Sequence, residues 1–203
     1  IVFAGMGGSG SIGDTIEAIL SKKNIHVSLS KGYLLPKTVD SKTLVIATSV
    51  SGNTAETLEI LKNAKKTEAT IIGFSSGGQL ENFCKENDVM YQKIPMVHSP
   101  RASFPKFLFS ILNILEPILP IKQNEVLSAI SSLEQTKQKI FSKNLTENIS
   151  LDIAEFVKDL VCIYYPAGFK ASAIRYKNCL QENSKTHAMI EDVIESCHNG
   201  IVA

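Results

Sequence analysis

The sequence lacks an excess of charge of either sign. Its 203 residues contain 21 lysines and arginines against 20 aspartates and glutamates, which gives a formal net charge of +1. Binding to nucleic acid or to an anionic membrane surface depends on a surplus of positive charge. We therefore expect a small-molecule or protein partner, no nucleic acid and no membrane, and any anion site must be local.

No apolar run is long enough to cross a bilayer, which needs about 20 consecutive apolar residues in a helix. The longest such stretch, FLFSILNILEPILPI, is interrupted by Glu116, Pro117 and Pro120. A charge and two prolines do not fit a membrane-spanning helix. Because hydrophobic residues make up 44% of the chain, which is enough for a core, this stretch predicts a buried helix.

Cysteine is scarce, and its positions show no pairing pattern. The four cysteines are Cys84, Cys162, Cys179 and Cys197. None belongs to a C-x-x-C pair, which favours reduced thiols and a cytoplasmic protein. His26, His98 and His187 share no metal-ligand spacing, so we expect no metal site.

Apolar stretches and helical patterns alternate along the first 120 residues. The stretches IVFAG, IHVSLS, TLVIATS, ATIIGFS and VMYQKI predict strands, and segments between them such as TAETLEILKNAKK predict helices. Strands that alternate with helices form a mostly parallel sheet with helices on both faces. The sequence therefore predicts a doubly wound α/β domain with a five-stranded sheet over residues 1–122.

The rest of the chain predicts a linking helix and a partial repeat. Apolar residues at helical spacing predict an amphipathic helix over residues 124–148, within a link of residues 123–149. After it, DLVCIYYPAG and FKASAIRYKNCLQENSK repeat the strand, glycine turn and helix of the opening residues, and AMIEDVIES predicts a further strand. Two strands and one helix do not bury a core alone. Residues 150–203 therefore predict the start of a second, incomplete domain of the same type.

The opening residues IVFAGMGGSG combine a strand, a glycine-rich turn and the start of a helix. Gly5, Gly7 and Gly10 fit the G-x-G-x-x-G pattern of dinucleotide-binding proteins. Such a site also needs an acidic residue about 20 residues further on, at the end of the second strand, and HVSLSKGY contains none. Two interpretations stay open, a tight turn without a ligand or a phosphate held by N–H groups at a helix N-terminus.

A second turn, in TLVIATSVSGNTAETLEILKNA, places Ser49, Ser51 and Thr54 between a buried strand and a helix. Hydroxyls beside a helix N-terminus, which carries about half a positive charge, suit a phosphate dianion. Because the lysine of a P-loop is missing, the turn fits a phosphate monoester on a neutral sugar better than a nucleotide. A helix opens after this turn, with Asn53 predicted as its cap residue and Glu56 as the N3 partner of that cap. As the alternative to phosphate binding, the serines only cap this helix.

Both turns follow strands of one predicted parallel sheet, and ligands of such sheets bind beyond the carboxyl ends of the strands. We therefore expect the two turns to converge on one phosphate. Gly7 and Gly8 would allow the backbone to approach the ligand closely, and Ser9 would add a hydroxyl. The SVSGNT turn would take the phosphate.

Five motifs resemble, in order, those of the bifunctional phosphoglucose/phosphomannose isomerases of the sugar isomerase (SIS) superfamily. They are GMGGSG, SVSGNTAET, PRAS at residues 100–103, ENSK at 182–185 and HNGIV at 198–202. The S-G-N-T-x-E-T pattern alone marks an SIS domain, whereas the ordered set points to this family over nearly the whole chain. The resemblance implies two SIS domains, a dimer, and no metal or other cofactor. It also implies a hexose 6-phosphate substrate, with glucose 6-phosphate or mannose 6-phosphate interconverted with fructose 6-phosphate through a cis-enediolate.

The resemblance also assigns the chemistry to three residues. Glu182 matches the base that moves a proton between C1 and C2 of the sugar. Arg101 matches the arginine that stabilises the enediolate oxygen, a role suited to a side chain that stays protonated. His198 matches the ring-opening residue, which in this family comes from the neighbouring subunit, so the active site of the homodimer would be shared between subunits.

The chain departs from the family pattern in two respects. Gly200 stands where many members have a glutamate, and a lysine and a threonine that the family draws from its C-terminal part are absent. Two alternatives therefore stay open. A non-catalytic SIS module would bind the sugar phosphate without turnover, and another SIS-domain sugar isomerase would require a different base context. The E-N-S-K and H-N matches favour the isomerase over both.

Overall fold

Five parallel strands form the main sheet in the computed structural model, which describes residues 1–200. The strands are β1 (Val2–Ala4), β2 (Ser28–Ser30), β3 (Leu44–Ser49), β4 (Thr70–Ser75) and β5 (Met90–Lys93). Their order in the sheet is β2-β1-β3-β4-β5, and every neighbouring pair is parallel. The predicted α/β fold with a five-stranded sheet is confirmed, and each predicted apolar stretch contains one strand.

Four helices cover the two faces of this sheet. They are α1 (Gly7–Leu20), α2 (Ala55–Lys65), α3 (Gly78–Glu86) and α4 (Phe104–Ile114). One core cluster contains buried residues of α1 and α4, and a separate cluster contains buried residues of α2 and α3. The sheet is therefore doubly wound. The apolar stretch in which a buried helix was predicted contains most of α4, whose Phe107 and Ile111 are fully buried.

Alternate side chains of the central strands supply the two cores. Phe3 and Ile46 pack in the cluster with α1 and α4, whereas Val2 and Val45 pack in the cluster with α2 and α3. This follows from the period of two in a strand, which sends successive side chains to opposite faces. Because both faces are covered, the strands read as nearly continuous apolar runs.

The order of the strands creates a switch point between β1 and β3. The helix after β1 lies on one face and the helix after β3 lies on the other. The first turns of α1 and α2 are therefore left beside each other at the carboxyl ends of these strands. In open α/β sheets this is the place where ligands bind.

A second, smaller group of elements follows the main sheet. It contains α5 (Gln123–Lys139), α6 (Ile149–Phe156), β6 (Val161–Tyr165), α7 (Lys170–Cys179), β7 (Ala188–Asp192) and α8 (Val193–His198). Strands β6 and β7 pair in parallel, and α7 contacts both of them as well as α1. A π-helical segment, Leu180–Ser184, continues directly from α7. That these elements begin a second domain stays a prediction, as do the boundaries near residues 122 and 150.

Two details of the predicted elements differ from the structure. The amphipathic helix predicted over residues 124–148 ends at Lys139, where the side-chain amide of Asn144 donates a hydrogen bond of 2.8 Å to the Lys139 carbonyl. The segment AMIEDVIES is a strand only in its first half, because α8 begins at Val193. The carboxylate of Asp192 caps α8 by accepting a hydrogen bond from the Ile194 N–H at 2.9 Å.

Gly52 joins the turn between β3 and α2 to the turn between β4 and α3. It has a φ of +73°, and a Cβ built on it would lie 1.7 Å from the carbonyl oxygen of Gly77. The Ser76 N–H donates to the Val50 carbonyl at 3.0 Å, and the Leu80 N–H donates to the Gly52 carbonyl at 2.8 Å. The backbones of the two turns therefore pack directly against each other.

Gly52→Ala should lower the free energy of unfolding by at least about 3 kcal/mol, because a left-handed conformation costs roughly 1–2 kcal/mol and the overlap with Gly77 adds to it. Urea unfolding measures this loss. Gly168→Ala is the matched control, since Gly168 has a φ of +86° and no atom lies within 4 Å of a Cβ built on it. Equal losses in the two variants would contradict the packing role of Gly52.

Candidate active site

A polar cleft of about 330 Å³ lies at the switch point of the sheet. Four parts of the chain form it: the start of α1, the turn before α2, the loop after β5, and α7 with its π-helical continuation. The lining residues are Met6, Gly8, Ser9, Val50, Ser51, Thr54, Ser99, Pro100, Arg101, Arg175 and Glu182. The structure therefore brings together six of the predicted site residues, namely Gly8, Ser9, Ser51, Thr54, Arg101 and Glu182.

A larger groove of about 920 Å³ lies beside this cleft, against α1, α4 and α5. Its lining is mostly apolar, with side chains such as Phe104, Leu108 and Leu133. Enzyme sites need polar groups that converge on the ligand. Arg101 and Arg175 line both spaces, but only the smaller cleft adds the hydroxyls at the starts of α1 and α2 and the carboxylate of Glu182, and we therefore take it as the candidate active site.

The first turn of α1 presents backbone N–H groups to the cleft. The first helical hydrogen bond of α1 runs from the Gly10 N–H to the Met6 carbonyl, at 3.0 Å. The N–H groups of Gly7, Gly8 and Ser9 precede it and so lack helical acceptors. Gly7 has a φ of +51° and does not itself line the cleft. We call Gly7–Ser9 together with Ser51–Thr54 the anion cup.

One hydrogen bond fastens the two halves of the anion cup to each other. The backbone N–H of Val50 donates to the hydroxyl oxygen of Ser9 at 3.1 Å, across 41 residues of sequence. This bond uses an oxygen lone pair of Ser9 and leaves its hydroxyl proton for a ligand. The two helix N-termini, each with about half a positive charge, are thereby held on one side of the cleft.

Ser49 stabilises the turn before α2 and does not line the cleft. Its side chain is buried, its hydroxyl lies 2.9 Å from that of Thr54, and it accepts a hydrogen bond from the Gly52 N–H at 3.1 Å. Ser51 is exposed instead and lines the cleft. The predicted contact of Ser49 with phosphate stays a prediction, and its observed contacts hold the turn in shape.

The predicted capping of α2 by Asn53 and Glu56 is wrong. Helix α2 begins at Ala55, so Thr54 is the residue at its N-cap, and no side chain caps it within the described residues. The side-chain oxygen of Asn53 accepts a hydrogen bond of 3.0 Å from the Gln79 N–H, at the start of α3. The first N–H groups of α2 are therefore left for a ligand.

A short loop presents Arg101 to the cleft. The loop, residues 99–103, is held by Ser103, whose buried hydroxyl donates to the Ser99 carbonyl at 2.7 Å and accepts from the Val97 N–H at 2.9 Å. Pro100 restricts the backbone inside this loop because its ring fixes φ. We call residues 99–103 the arginine loop.

Glu182 lies opposite Arg101. Its carboxylate accepts a hydrogen bond from the Arg101 Nε at 2.7 Å, and the two side chains are 48% and 43% exposed. Such an exposed pair contributes only about 0–1 kcal/mol to stability. Glu182 belongs to the π-helical segment, a form of helix that occurs frequently at functional sites. The structure therefore brings together the predicted base and the predicted enediolate-stabilising arginine.

Arg175 also lines the cleft, and sequence reasoning missed it. Its Nη2 donates to the Arg101 carbonyl at 3.1 Å, and its guanidinium lies over the ring of Phe104, 4.7 Å from the centroid. A signal was available, because Arg175 lies seven residues before Glu182, a spacing of about two helical turns that places both on one face.

Two family models match the chain. Residues 1–112 match the model described as "SIS domain", and residues 143–203 match the model described as "Bacterial phospho-glucose isomerase C-terminal SIS domain". The first match covers more than half of the chain. The chain belongs to the SIS domain family.

Individual relatives agree with this membership. The bifunctional phosphoglucose/phosphomannose isomerase of Caldicellulosiruptor bescii is 35% identical over 212 residues, which cover 100% of this chain and 61% of that protein. The D-glucosamine-6-phosphate 4-epimerase of Sulfolobus acidocaldarius is 30% identical, over 99% of this chain and 62% of that protein. The resemblance to the bifunctional isomerases is confirmed, although the chain spans only about three fifths of the length of these relatives.

Solved structures share the fold. The glucosamine-6-phosphate deaminase of Thermotoga maritima superposes with a TM-score of 0.70 at 17% identity, over 99% of this chain and 63% of that one. At this identity the likeness shows the fold alone. The tagatose-6-phosphate ketose/aldose isomerase of Escherichia coli superposes with a TM-score of 0.67 over 99% of this chain and 58% of that one, at 16% identity.

His198 does not line the cleft of this SIS domain. It is exposed at the end of α8, and Ile201 and Val202 of its motif lie outside the described residues. At Gly200, the departure from the family pattern, a Cβ would lie 3.6 Å from a carboxylate oxygen of Glu191. A glutamate at position 200 would therefore stand beside a like charge.

Residues 1–200 lack two features, a cluster of metal ligands and a membrane-spanning helix. In this part of the chain no three histidine, cysteine or acidic side chains are grouped so that they could hold a metal ion. Within the same residues no helix combines the length and the apolar character needed to cross a bilayer.

Ser49→Ala and Ser51→Ala should affect different quantities, the first the stability of the protein and the second its affinity for phosphate. Ser49→Ala should lower the free energy of unfolding by about 0.5–1.5 kcal/mol, since the buried hydroxyl that bonds to the Gly52 N–H and to the Thr54 hydroxyl is lost. Ser51→Ala should change it by less than about 0.5 kcal/mol but weaken inorganic phosphate binding about tenfold. Urea unfolding and calorimetric titration measure the two quantities. A loss of stability in Ser51→Ala with unchanged phosphate affinity would contradict these roles.

Proposed function

We propose that the protein is an aldose–ketose isomerase that interconverts glucose 6-phosphate, mannose 6-phosphate or both with fructose 6-phosphate. The observation that carries the proposal is the hydrogen-bonded pair of Arg101 and Glu182 beside the anion cup. Such a pair places a carboxylate and a fixed positive charge at one edge of a phosphate site. Similarity over the whole chain to a bifunctional phosphoglucose/phosphomannose isomerase supports the choice of reaction.

The anion cup binds the phosphate in this proposal. Hydroxyls of Ser9, Ser51 and Thr54 and the first N–H groups of α1 and α2 donate to its oxygens, and Ser49 holds the turn beneath them. Two helix N-termini favour a dianion electrostatically. The sugar then extends from the cup toward Arg101 and Glu182, which line the same cleft.

Glu182 removes the proton from C2 of the aldose and returns it to C1, while the proton of the C2 hydroxyl passes to the oxygen on C1, which forms the ketose through a cis-enediolate. In the structure its bond with Arg101 engages Nε and one carboxylate oxygen, Oε2. The other oxygen, Oε1, is left to take the proton, and the Nη groups of Arg101 are left to donate to the enediolate oxygen. A fixed charge at the developing oxyanion stabilises the transition state without reorganisation.

Glu182→Gln should lower kcat for fructose 6-phosphate by about 10²- to 10⁴-fold with little change in KM, because the amide cannot accept the proton. A coupled assay for glucose 6-phosphate and mannose 6-phosphate measures this. Glu86→Gln, at an exposed position on α3, is the matched control and should keep full activity. Undiminished turnover in Glu182→Gln would remove this residue from the mechanism.

We propose further that His198 opens the sugar ring in the cleft of a second subunit of a homodimer. Its position outside the cleft of its own chain supports a role in trans. Histidine titrates near neutral pH and so can both donate and accept the proton of ring opening. A monomer would then be inactive on ring-closed substrate.

Inactive His198→Ala and inactive Glu182→Gln proteins should regain activity when they are unfolded together and refolded as a mixture. About a quarter of the wild-type rate is expected, because half of the dimers are mixed and each of these has one intact site. The measurement is the rate of the mixture against each variant refolded alone. No recovery in a mixture that forms dimers would argue that each site is built from one chain.

A 4-epimerase activity on glucosamine 6-phosphate is the second candidate, because a relative of that name is 30% identical. Epimerisation at C4 needs chemistry away from C1 and C2. Incubation with glucosamine 6-phosphate, followed by chromatography of the products, separates the two activities. A non-catalytic SIS module would instead bind fructose 6-phosphate in a calorimeter and form no product from either sugar.

A further inference from the structure

Arg175 connects three parts of the candidate active site. From α7 its guanidinium donates to the carbonyl of Arg101 at 3.1 Å and stacks over Phe104 at 4.7 Å from the ring centroid. A Cβ built on Gly8 would lie 3.6 Å from its Nη1. One side chain thus contacts the arginine loop and the start of α4 and lies beside the anion cup.

The Arg101–Glu182 pair needs support from outside itself. Its two members are 81 residues apart in sequence and come from different elements, the arginine loop and the π-helical segment after α7. Both side chains are more than 40% exposed, so that water competes for their hydrogen bond. A productive distance between base and arginine therefore depends on how firmly the arginine loop is fixed relative to α7.

We infer that Arg175 is a positioning residue that fastens the arginine loop to α7 and so holds Arg101 at the correct distance from Glu182. This inference rests on the proposed isomerase function. Arg175 and Glu182 belong to one continuous helical stretch, and the bond from Arg175 ends on the backbone of Arg101 itself. The hydrogen bond therefore links the backbone of Arg101 directly to the helical stretch that contains Glu182.

A guanidinium suits this role better than an ammonium. Its N–H donors lie in the plane of the group, at its edge, so that a face can stack on an aromatic ring at the same time, whereas lysine has a single charged end without a plane. Arg175 uses the face on Phe104 and the edge on the Arg101 carbonyl at the same time. Arg175→Lys therefore keeps the charge in the cleft but loses the simultaneous contacts.

The alternative role is direct binding of the substrate phosphate, since Arg175 lines the cleft near Gly8. The two roles predict different kinetics. A phosphate ligand contributes equally to substrate and transition state, so that its loss raises KM. A positioning residue contributes to the geometry of the reacting groups, so that its loss lowers kcat.

The test compares wild type, Arg175→Lys and Phe104→Leu, with Lys170→Gln as the control. Lys170 is exposed at the start of α7 and does not line this cleft. For each protein we would measure kcat and KM for fructose 6-phosphate, the dissociation constant of inorganic phosphate, and hydrogen–deuterium exchange of the amides in residues 97–103.

Arg175→Lys should lower kcat at least about tenfold, because misplacing a reacting group by about 1 Å costs up to 10²-fold. KM and phosphate affinity should stay within about twofold of wild type, and exchange in residues 97–103 should accelerate while exchange in β3 stays unchanged. Phe104→Leu should accelerate exchange in residues 97–103 and lower kcat by a smaller factor, and Lys170→Gln should match wild type.

A raised KM and weakened phosphate binding at unchanged kcat would overturn the inference in favour of a phosphate ligand. Unchanged exchange in residues 97–103 of Arg175→Lys would also overturn it. If the wild-type protein turns over none of the sugars, the proposed function fails, and the exchange data still decide whether Arg175 fastens the loop.

Discussion

A single hydrogen bond across the switch point of the sheet, from the Val50 N–H to the Ser9 hydroxyl, is the contact on which the candidate site depends. The bond holds the first turn of α1 against the turn before α2. From there α1 and α2 run along opposite faces of the sheet. Divergence leaves two sets of unpaired N–H groups and two positive helix ends facing one cleft. The parallel order of β1 and β3 brings these turns together, and the seryl hydroxyl fastens them to each other.

Around this cup the two proposed catalytic groups, Arg101 and Glu182, are held less tightly. Arg101 and Glu182 are half exposed, and their ion pair gains little energy in water. Their geometry depends instead on backbone contacts: the Ser103 hydroxyl inside the arginine loop and the guanidinium of Arg175 between that loop and α7. Under the proposed function, a rigid phosphate site beside a more open reacting end suits a sugar phosphate whose ring must open and close.

The sequence was sufficient to predict the strands, the doubly wound sheet and most of the cleft, because alternating apolar runs and strand-to-helix turns are local patterns. One error arose where a distant partner decides the structure. Asn53 has the sequence position of a helix cap, yet it bonds to the Gln79 N–H, 26 residues away. A second error has a local cause, since the linking helix ends early where the side-chain amide of Asn144 bonds to the Lys139 carbonyl, five residues before it. Ser49 and Ser51 look alike in sequence, but Ser49 ends β3 with its hydroxyl buried against Thr54 and the Gly52 N–H, whereas Ser51 lies in the turn beyond the strand and reaches the cleft.

The most direct measurement of the central claim is a crystal structure of the protein with fructose 6-phosphate. The account predicts phosphate oxygens within about 3 Å of the hydroxyls of Ser9, Ser51 and Thr54, the distance of a hydrogen bond. It also predicts the sugar carbons C1 and C2 beside the carboxylate of Glu182. A phosphate bound away from these two turns, or a sugar directed away from Glu182, would contradict it.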